Sequence, residues 1–210
     1  MAFETGIEWT ESTWNPVTGC SKVSNGCRNC YAERMARRLQ AMGVASYAKG
    51  FSVATHDEAL TLPLKWHRPR LVFVNSMSDL FHENIPERFI EQVFRVMNQT
   101  PRHRFQILTK RSERLLGLAP NLSWAKNIWM GVTVEDGQNI CRVDHLRKTS
   151  AAVKFLSLEP LLSPVSGLDL DGIDWVIAGG ESGPGARPLH EGWVLEVKEK
   201  CQQANIPFFF

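Results

Sequence analysis

Phe105-Gln106-Ile107-Leu108-Thr109 and Ile128-Trp129-Met130-Gly131-Val132-Thr133-Val134 decide the reading of the fold, because both runs are almost continuously apolar. A strand with one wet face alternates apolar and polar residues, whereas a strand covered on both faces does not, and such strands belong to parallel sheets flanked by helices. Similar runs lie at Leu71 to Asn75, Val153 to Leu158, Trp175 to Ala178 and Ile206 to Phe210. Between them, Pro86 to Met97 sets Ile90, Val93, Phe94 and Met97 at helical spacing, and Trp193 to Ala204 carries a second amphipathic pattern. The alternation predicts an α/β fold with a parallel sheet. Short strands at Thr13 to Thr18 and Phe51 to Thr55 bring the number to eight, enough to close a TIM-like (β/α) barrel. Complete barrels take about 250 residues. At 210 residues the chain is expected to form a compact barrel or a partial one. It stops on Pro207-Phe208-Phe209-Phe210 with no polar cap or final helix, which reads as a trimmed end. No linker, repeat or low-complexity tract divides residues 1–210, so one domain is expected.

With 43% hydrophobic and 22% charged residues the chain can bury a core without disulfides, which sets intrinsic disorder aside. No run approaches the roughly 20 apolar residues of a membrane span. The N-terminus MAFETGIEWTES lacks the basic and apolar regions of a signal peptide, so a cytoplasmic protein is expected. A formal net charge of +2 is too small to imply nucleic-acid binding by itself.

In a reducing compartment, five cysteines with three clustered near the N-terminus argue for metal or redox use. Cys141 and Cys201 stand alone and read as small buried hydrophobes. Trp14-Asn15-Pro16-Val17-Thr18-Gly19-Cys20 leads into a polar, glycine-containing turn, and Cys27-Arg28-Asn29-Cys30 opens a helix through Tyr31-Ala32-Glu33-Arg34-Met35. This N-terminal Cys-rich loop thus carries three thiols, the donors that iron-sulfur clusters and zinc favour. On the cysteines alone three readings stand open: a cluster with one iron left free, a zinc site completed by a histidine such as His56 or His82, and simple packing. A structural zinc normally has four protein ligands, and no Cys or His lies close in sequence to supply the fourth.

The order of Cys-rich loop ending in Cys-Tyr-Ala, then Asn75-Ser76-Met77-Ser78-Asp79-Leu80-Phe81, then Leu108-Thr109-Lys110-Arg111, then Gly131-Val132-Thr133 resembles the radical S-adenosylmethionine enzymes of the spore photoproduct lyase-like group. It looks closer still to a bacteriophage-associated three-cysteine-motif family whose members carry the late Gly179-Gly180-Glu181-Ser182-Gly183 segment. The resemblance spans essentially the whole chain. It implies a radical SAM-like barrel in which Cys20, Cys27 and Cys30 ligate a 4Fe-4S cluster and S-adenosylmethionine chelates the fourth iron. It implies that the reduced cluster cleaves the cofactor to a 5'-deoxyadenosyl radical that abstracts hydrogen from substrate. Two features depart from the pattern. The usual motif is C-x3-C-x2-C, whereas the first gap here is six residues, and the Gly-Gly-Glu segment follows a late strand rather than the second. Its usual role at the amino end of the methionine moiety is therefore not carried to Glu181.

In a barrel the functional groups sit at the C-terminal strand ends, which nominates Ser76, Ser78, Asp79, Thr109, Lys110, Thr133, Glu135 and Glu159 for cofactor binding. Helix capping competes for Ser78, Thr109 and Thr133. For Asp79 and Glu159 a buried ion pair to Lys110 or Arg111 competes. Gly179 to Gly185 with Arg187 would suit an anion or form a plain turn, and no Gly-Lys-Ser/Thr makes it a P-loop. Basic groups at Arg34, Arg37 and Arg38, at Arg102-His103-Arg104 and at Lys110-Arg111-Arg114 read as solvated faces. Flanking the mouth they would instead grip nucleic acid, with Trp14, Trp66 or Trp129 stacking on a base. His56-Asp57-Glu58 and His82-Glu83 lack a third metal ligand at a convincing spacing. The rival reading is a non-enzymatic phage-associated barrel, stapled by zinc or a cluster, that binds nucleic acid or a genetically linked partner protein.

Overall fold

A computed structural model describes residues 5–210. In chain order the elements are β1 (Ser12–Trp14), β2 (Val17–Thr18), α1 (Tyr31–Ala41), β3 (Ala54–Thr55), α2 (Asp57–Leu60), β4 (Leu71–Val74), α3 (Glu87–Gln99), β5 (Arg104–Thr109), α4 (Ser112–Leu118), β6 (Ile128–Thr133), α5 (Cys141–Arg147), β7 (Val153–Leu158), β8 (Trp175–Ala178), α6 (Glu191–Gln203) and β9 (Phe208–Phe209). Seven strands form one sheet in the order β1-β4-β5-β6-β7-β8-β9, with every neighbouring pair parallel. The sheet curls into a half-barrel, with β1 and β9 at its two edges.

The expected partial barrel is therefore present, with one correction to the strand count. The run Phe51 to Thr55 yields only β3, which pairs antiparallel with β2 in a separate two-stranded ribbon. The run Thr13 to Thr18 splits at Asn15-Pro16 into β1, which enters the sheet, and β2, which leaves it. Proline removes a ladder donor and favours a break there.

Register assigns the two faces. Val72, Phe105, Ile128 and Trp14's neighbour Val74 with Ile107 and Met130 project to one side, where α3, α4, α5 and α6 add Ile90, Val93, Leu115, Leu146 and Val197 to one continuous core. Each such side chain contributes about 1.5–3 kcal/mol by leaving water. Phe73, Gln106, Trp129, Phe155 and Trp175 alternate onto the concave side. There Trp9 acts as a plug: its ring lies 4.7 Å from Phe73, 6.4 Å from Phe155 and 6.3 Å from Trp175, centroid to centroid. Gln106 Nε2 donates to the Trp9 carbonyl at 3.3 Å and fixes that segment in place.

α1 does not join this core. Ala32 and Ala36 pack instead with Tyr47 and Met77 in a second, smaller cluster edged by Cys30, Met35, Leu39 and Phe51. Cys201 is buried as expected, but Cys141 is exposed at the first turn of α5, because the buried face of that short helix is taken by Arg142, Val143 and Leu146. Trp14 and Trp66 are core residues, which removes them as base-stacking surfaces. Among the described residues no helix is long and apolar enough to cross a membrane.

Gly131 faces the Phe155 ring so closely that an added Cβ would stand 2.5 Å from it. Gly131→Ala should therefore cost about 1–3 kcal/mol by overpacking. Urea denaturation should show a lower midpoint, and Phe155→Leu in the same chain should recover part of the loss.

Candidate functional site at the mouth of the half-barrel

The three cysteines lie on the segment between β2 and α1, over the C-terminal ends of the parallel strands. The approach to Cys20 is set by backbone contacts. Gly19 N donates to the Met77 carbonyl at 3.2 Å and Cys20 N to the Phe51 carbonyl at 3.1 Å. Gly19 has φ +80° and abuts the Ser52 carbonyl, so neither the conformation nor the space admits a side chain.

A buried guanidinium holds the start of the loop. Arg111, just after β5, has its side chain 7% exposed and spends its donors on five acceptors. Nη1 donates to Asp79 Oδ2 at 3.2 Å and to Cys20 Sγ at 3.3 Å. Nη2 donates to the Ser21 carbonyl at 3.0 Å and its hydroxyl at 2.9 Å, and Nε to Glu83 Oε2 at 2.8 Å. Asp79 accepts in addition from Thr109 Oγ1 at 2.7 Å, Phe81 N at 3.0 Å and Lys110 N at 3.1 Å. The Arg111 hydrogen bond holds the Glu83 carboxyl well below its ordinary range, at about 2. Burial pushes the Cys20 thiol up to about 11, with Asp79 adding to the shift and Arg111 opposing it.

Two further carboxylates, Glu135 and Glu181, hold the rest of the loop. Ser24 Oγ donates to Glu135, which is fully buried and also accepts from Arg142 Nη1 at 2.5 Å. Asn29 Nδ2 donates to Glu181 Oε2 at 2.8 Å and to the Gly185 carbonyl at 3.0 Å. Glu181 is itself clasped by Arg187, whose Nη2 reaches the Asn25 carbonyl at 2.9 Å. Arg34 of α1 donates to the Ser182 and Pro184 carbonyls.

The nominated residues thus fall into distinct groups. Asp79 and Thr109 join Arg111, so the buried ion pair is formed. Ser76 Oγ donates to Asn15 Oδ1 at 3.2 Å and Ser78 Oγ to the Val17 carbonyl at 2.9 Å. The Thr133 carbonyl accepts from Arg142 Nη1 at 2.7 Å. Ser78, Thr109 and Thr133 cap no helix; α3, α4 and α5 begin after Pro86, Arg111 and Ile140. Glu159 sits at the end of β7, where burial raises its carboxyl above the ordinary value against hydrogen bonds from Ser157 and Trp9 and the charge of Lys110.

Several expected solvated or ligating groups are committed elsewhere. His103 and Arg111 are buried, Arg102 Nε donates to the Trp66 carbonyl at 2.8 Å, and Arg114 Nη2 to the Ile85 carbonyl at 2.6 Å. Arg187 is neutralised by Glu181, so the glycine loop is a clasp on the Cys loop rather than an open anion site. His82 accepts at Nδ1 from Asn84 N at 3.1 Å and meets Ser21 Oγ through Nε2 at 2.8 Å; His56 Nε2 lies 2.8 Å from Thr18 Oγ1. Both ring nitrogens of His82 are thus engaged by partners other than the thiols. Ser24, Asn29 and Arg142 escaped sequence reasoning, since their roles depend on which strand end faces the loop.

Among the described residues no three Cys, His, Asp or Glu side chains gather tightly enough to enclose a single ion. Tetrahedral zinc at 2.3 Å from sulfur needs thiolates about 3.8 Å apart. A four-iron cluster carries each thiolate on a different iron and spreads its ligands over a wider footprint. Three half-buried thiols on one loop match the three-cysteine donor set of a cluster, and among the described residues no group of Cys, His, Asp or Glu side chains completes a zinc site.

A family model matches residues 4–210, with the description "Protein of unknown function (DUF5131)". The chain belongs to the DUF5131 family. No curated protein matches it. A solved structure similar to this DUF5131 member is "Spore photoproduct lyase complexed with dinucleoside spore photoproduct", with a TM-score of 0.58 and 10% identity over 98% of this chain and 78% of that one. The likeness is one of fold, and it agrees with the curled parallel sheet seen here.

The Arg187 hydrogen bond holds the Glu181 carboxyl at about 2, below its ordinary 4.5. A depressed acid stabilises the clasp fully above its ordinary range and loses that contribution as pH falls toward the folded value. In an NMR titration from pH 5 to pH 2, the Asn29 side-chain amide and Gly185 signals should shift together with Glu181 protonation. Glu181→Gln should abolish that titration.

Proposed function

We propose that this protein is a radical S-adenosylmethionine enzyme, with Cys20, Cys27 and Cys30 holding three irons of a 4Fe-4S cluster and the cofactor completing the fourth. The observation that carries the reading is the placement of a three-thiol loop over the C-terminal edge of a curled parallel sheet, the face on which barrel enzymes assemble their chemistry. The fold likeness to spore photoproduct lyase supports it. When bound and reduced, the cluster supplies the electron that cleaves a carbon-sulfur bond of the cofactor and yields the 5'-deoxyadenosyl radical.

The chain's own residues bind, orient and exclude water. Lys110, which follows β5, and Glu159, which follows β7, would take the carboxylate and the amine of the cofactor's methionine moiety. Ser76, Ser78 and Thr133, after β4 and at the end of β6, would serve its ribose hydroxyls. Asp79, Thr109 and Glu135 act one step back, through Arg111 and Ser24, by fixing the loop that carries the thiols. Trp9 and the aromatic residues beneath it close the floor of the half-barrel against water. The substrate would enter from the open side, and a nucleic-acid substrate is the class suggested by the dinucleoside bound to the structural relative.

Anaerobic reconstitution with iron and sulfide should give about four irons per chain, a reduced-cluster spin-resonance signal and release of 5'-deoxyadenosine. Cys27→Ala should lose all three while melting within about 1–2 kcal/mol of the parent, because Cys27 is only half-buried and its nearest polar contact is Ser24 Oγ at 3.9 Å. A single bound zinc with no cofactor cleavage would favour the metal-stapled binding protein instead.

A further inference from the structure

We propose that Arg111 sets the reduction potential of the cluster by keeping a guanidinium N–H on the sulfur of Cys20. The inference rests on the cluster reading above and adds to it a residue that tunes the centre without ligating it.

The geometry comes from a fully committed side chain. Arg111 Nη1 lies 3.3 Å from Cys20 Sγ, and the remaining donors are held by Asp79, Glu83 and Ser21. With its side chain 7% exposed, the guanidinium cannot trade the sulfur for bulk water without breaking the Asp79 and Ser21 contacts as well. Cys20, Cys27 and Cys30 are not equivalent in this respect: among the described residues only Cys20 accepts a hydrogen bond from a cation.

Reduction adds one electron from the reductant to the cluster. No bond forms or breaks and no proton moves, and the centre gains one negative charge, part of it on the ligating sulfurs. A fixed cation and an N–H···S bond stabilise the more negative state and raise the potential. Glu83 works in the opposite sense, because its carboxylate draws on Arg111 Nε at 2.8 Å while being 61% exposed. Replacing Arg111 and replacing Glu83 should therefore move the potential in opposite directions. A merely structural arginine would alter how much cluster is held and leave the potential alone.

The test is a spin-resonance-monitored redox titration of the reconstituted full chain with dithionite, with iron content measured alongside. Arg111→Gln should weaken reduction on the order of tenfold, about 59 mV downward for a one-electron couple, and Arg111→Lys should recover part of that shift. Glu83→Gln should shift the potential upward. Full iron content with unmoved potentials in both Gln variants would overturn the proposal. Should Arg111→Gln fail to hold the cluster, Glu83→Gln decides alone, and an unmoved potential there overturns it. A parent chain that builds no four-iron centre overturns the cluster reading itself, a result visible before any substitution is compared.

Discussion

A guanidinium removed from water must recover its lost hydration from the protein, and the mouth of this half-barrel is organised around that demand. Arg111 meets it with Asp79, Glu83 and the Cys20-Ser21 segment, joining the ends of β4 and β5 to the thiol loop in one network. Asp79 in turn fixes the backbone of Lys110 and Phe81. Removing one partner of such a pair leaves a buried charge behind, which is far costlier than losing an exposed ion pair. The loop is thus anchored by electrostatic satisfaction at one end and by the Glu135 and Glu181 contacts further along.

An open parallel sheet poses a second demand, since its concave face must be covered without a closing strand. The chain meets it from two sides. Trp9 fills the floor with an aromatic cluster, and the Cys loop with α1 roofs the C-terminal edge. Glu159, at the end of β7, accepts hydrogen bonds from Ser157 and Trp9.

Much of the fold was legible because strands buried on both faces write themselves as continuous apolar runs; β5, β6, β7 and β8 lie within a residue of their expected bounds. Where burial is partial the signal fades. Phe51 to Thr55 has the composition of a strand, but its partner β2 turns out of the sheet at Pro16, and no local pattern records that. The choice between ion pair and cofactor contact for Asp79 was not legible. It depends on Arg111 folding back across a strand end, a tertiary contact between residues 32 apart. Cys141 was misplaced for a related reason: a seven-residue helix shows too few turns to reveal which face it buries.

The two hydrophobic clusters are separate. The sheet and its helices share one, while α1, Tyr47 and Met77 form another of a few residues, tied to the sheet chiefly by polar contacts. Free energy of opening follows buried apolar contact, so the smaller cluster under the roof is expected to open at lower cost than the sheet. A roof that lifts as a unit would bare Cys20, Cys27 and Cys30 while the sheet beneath them stays intact.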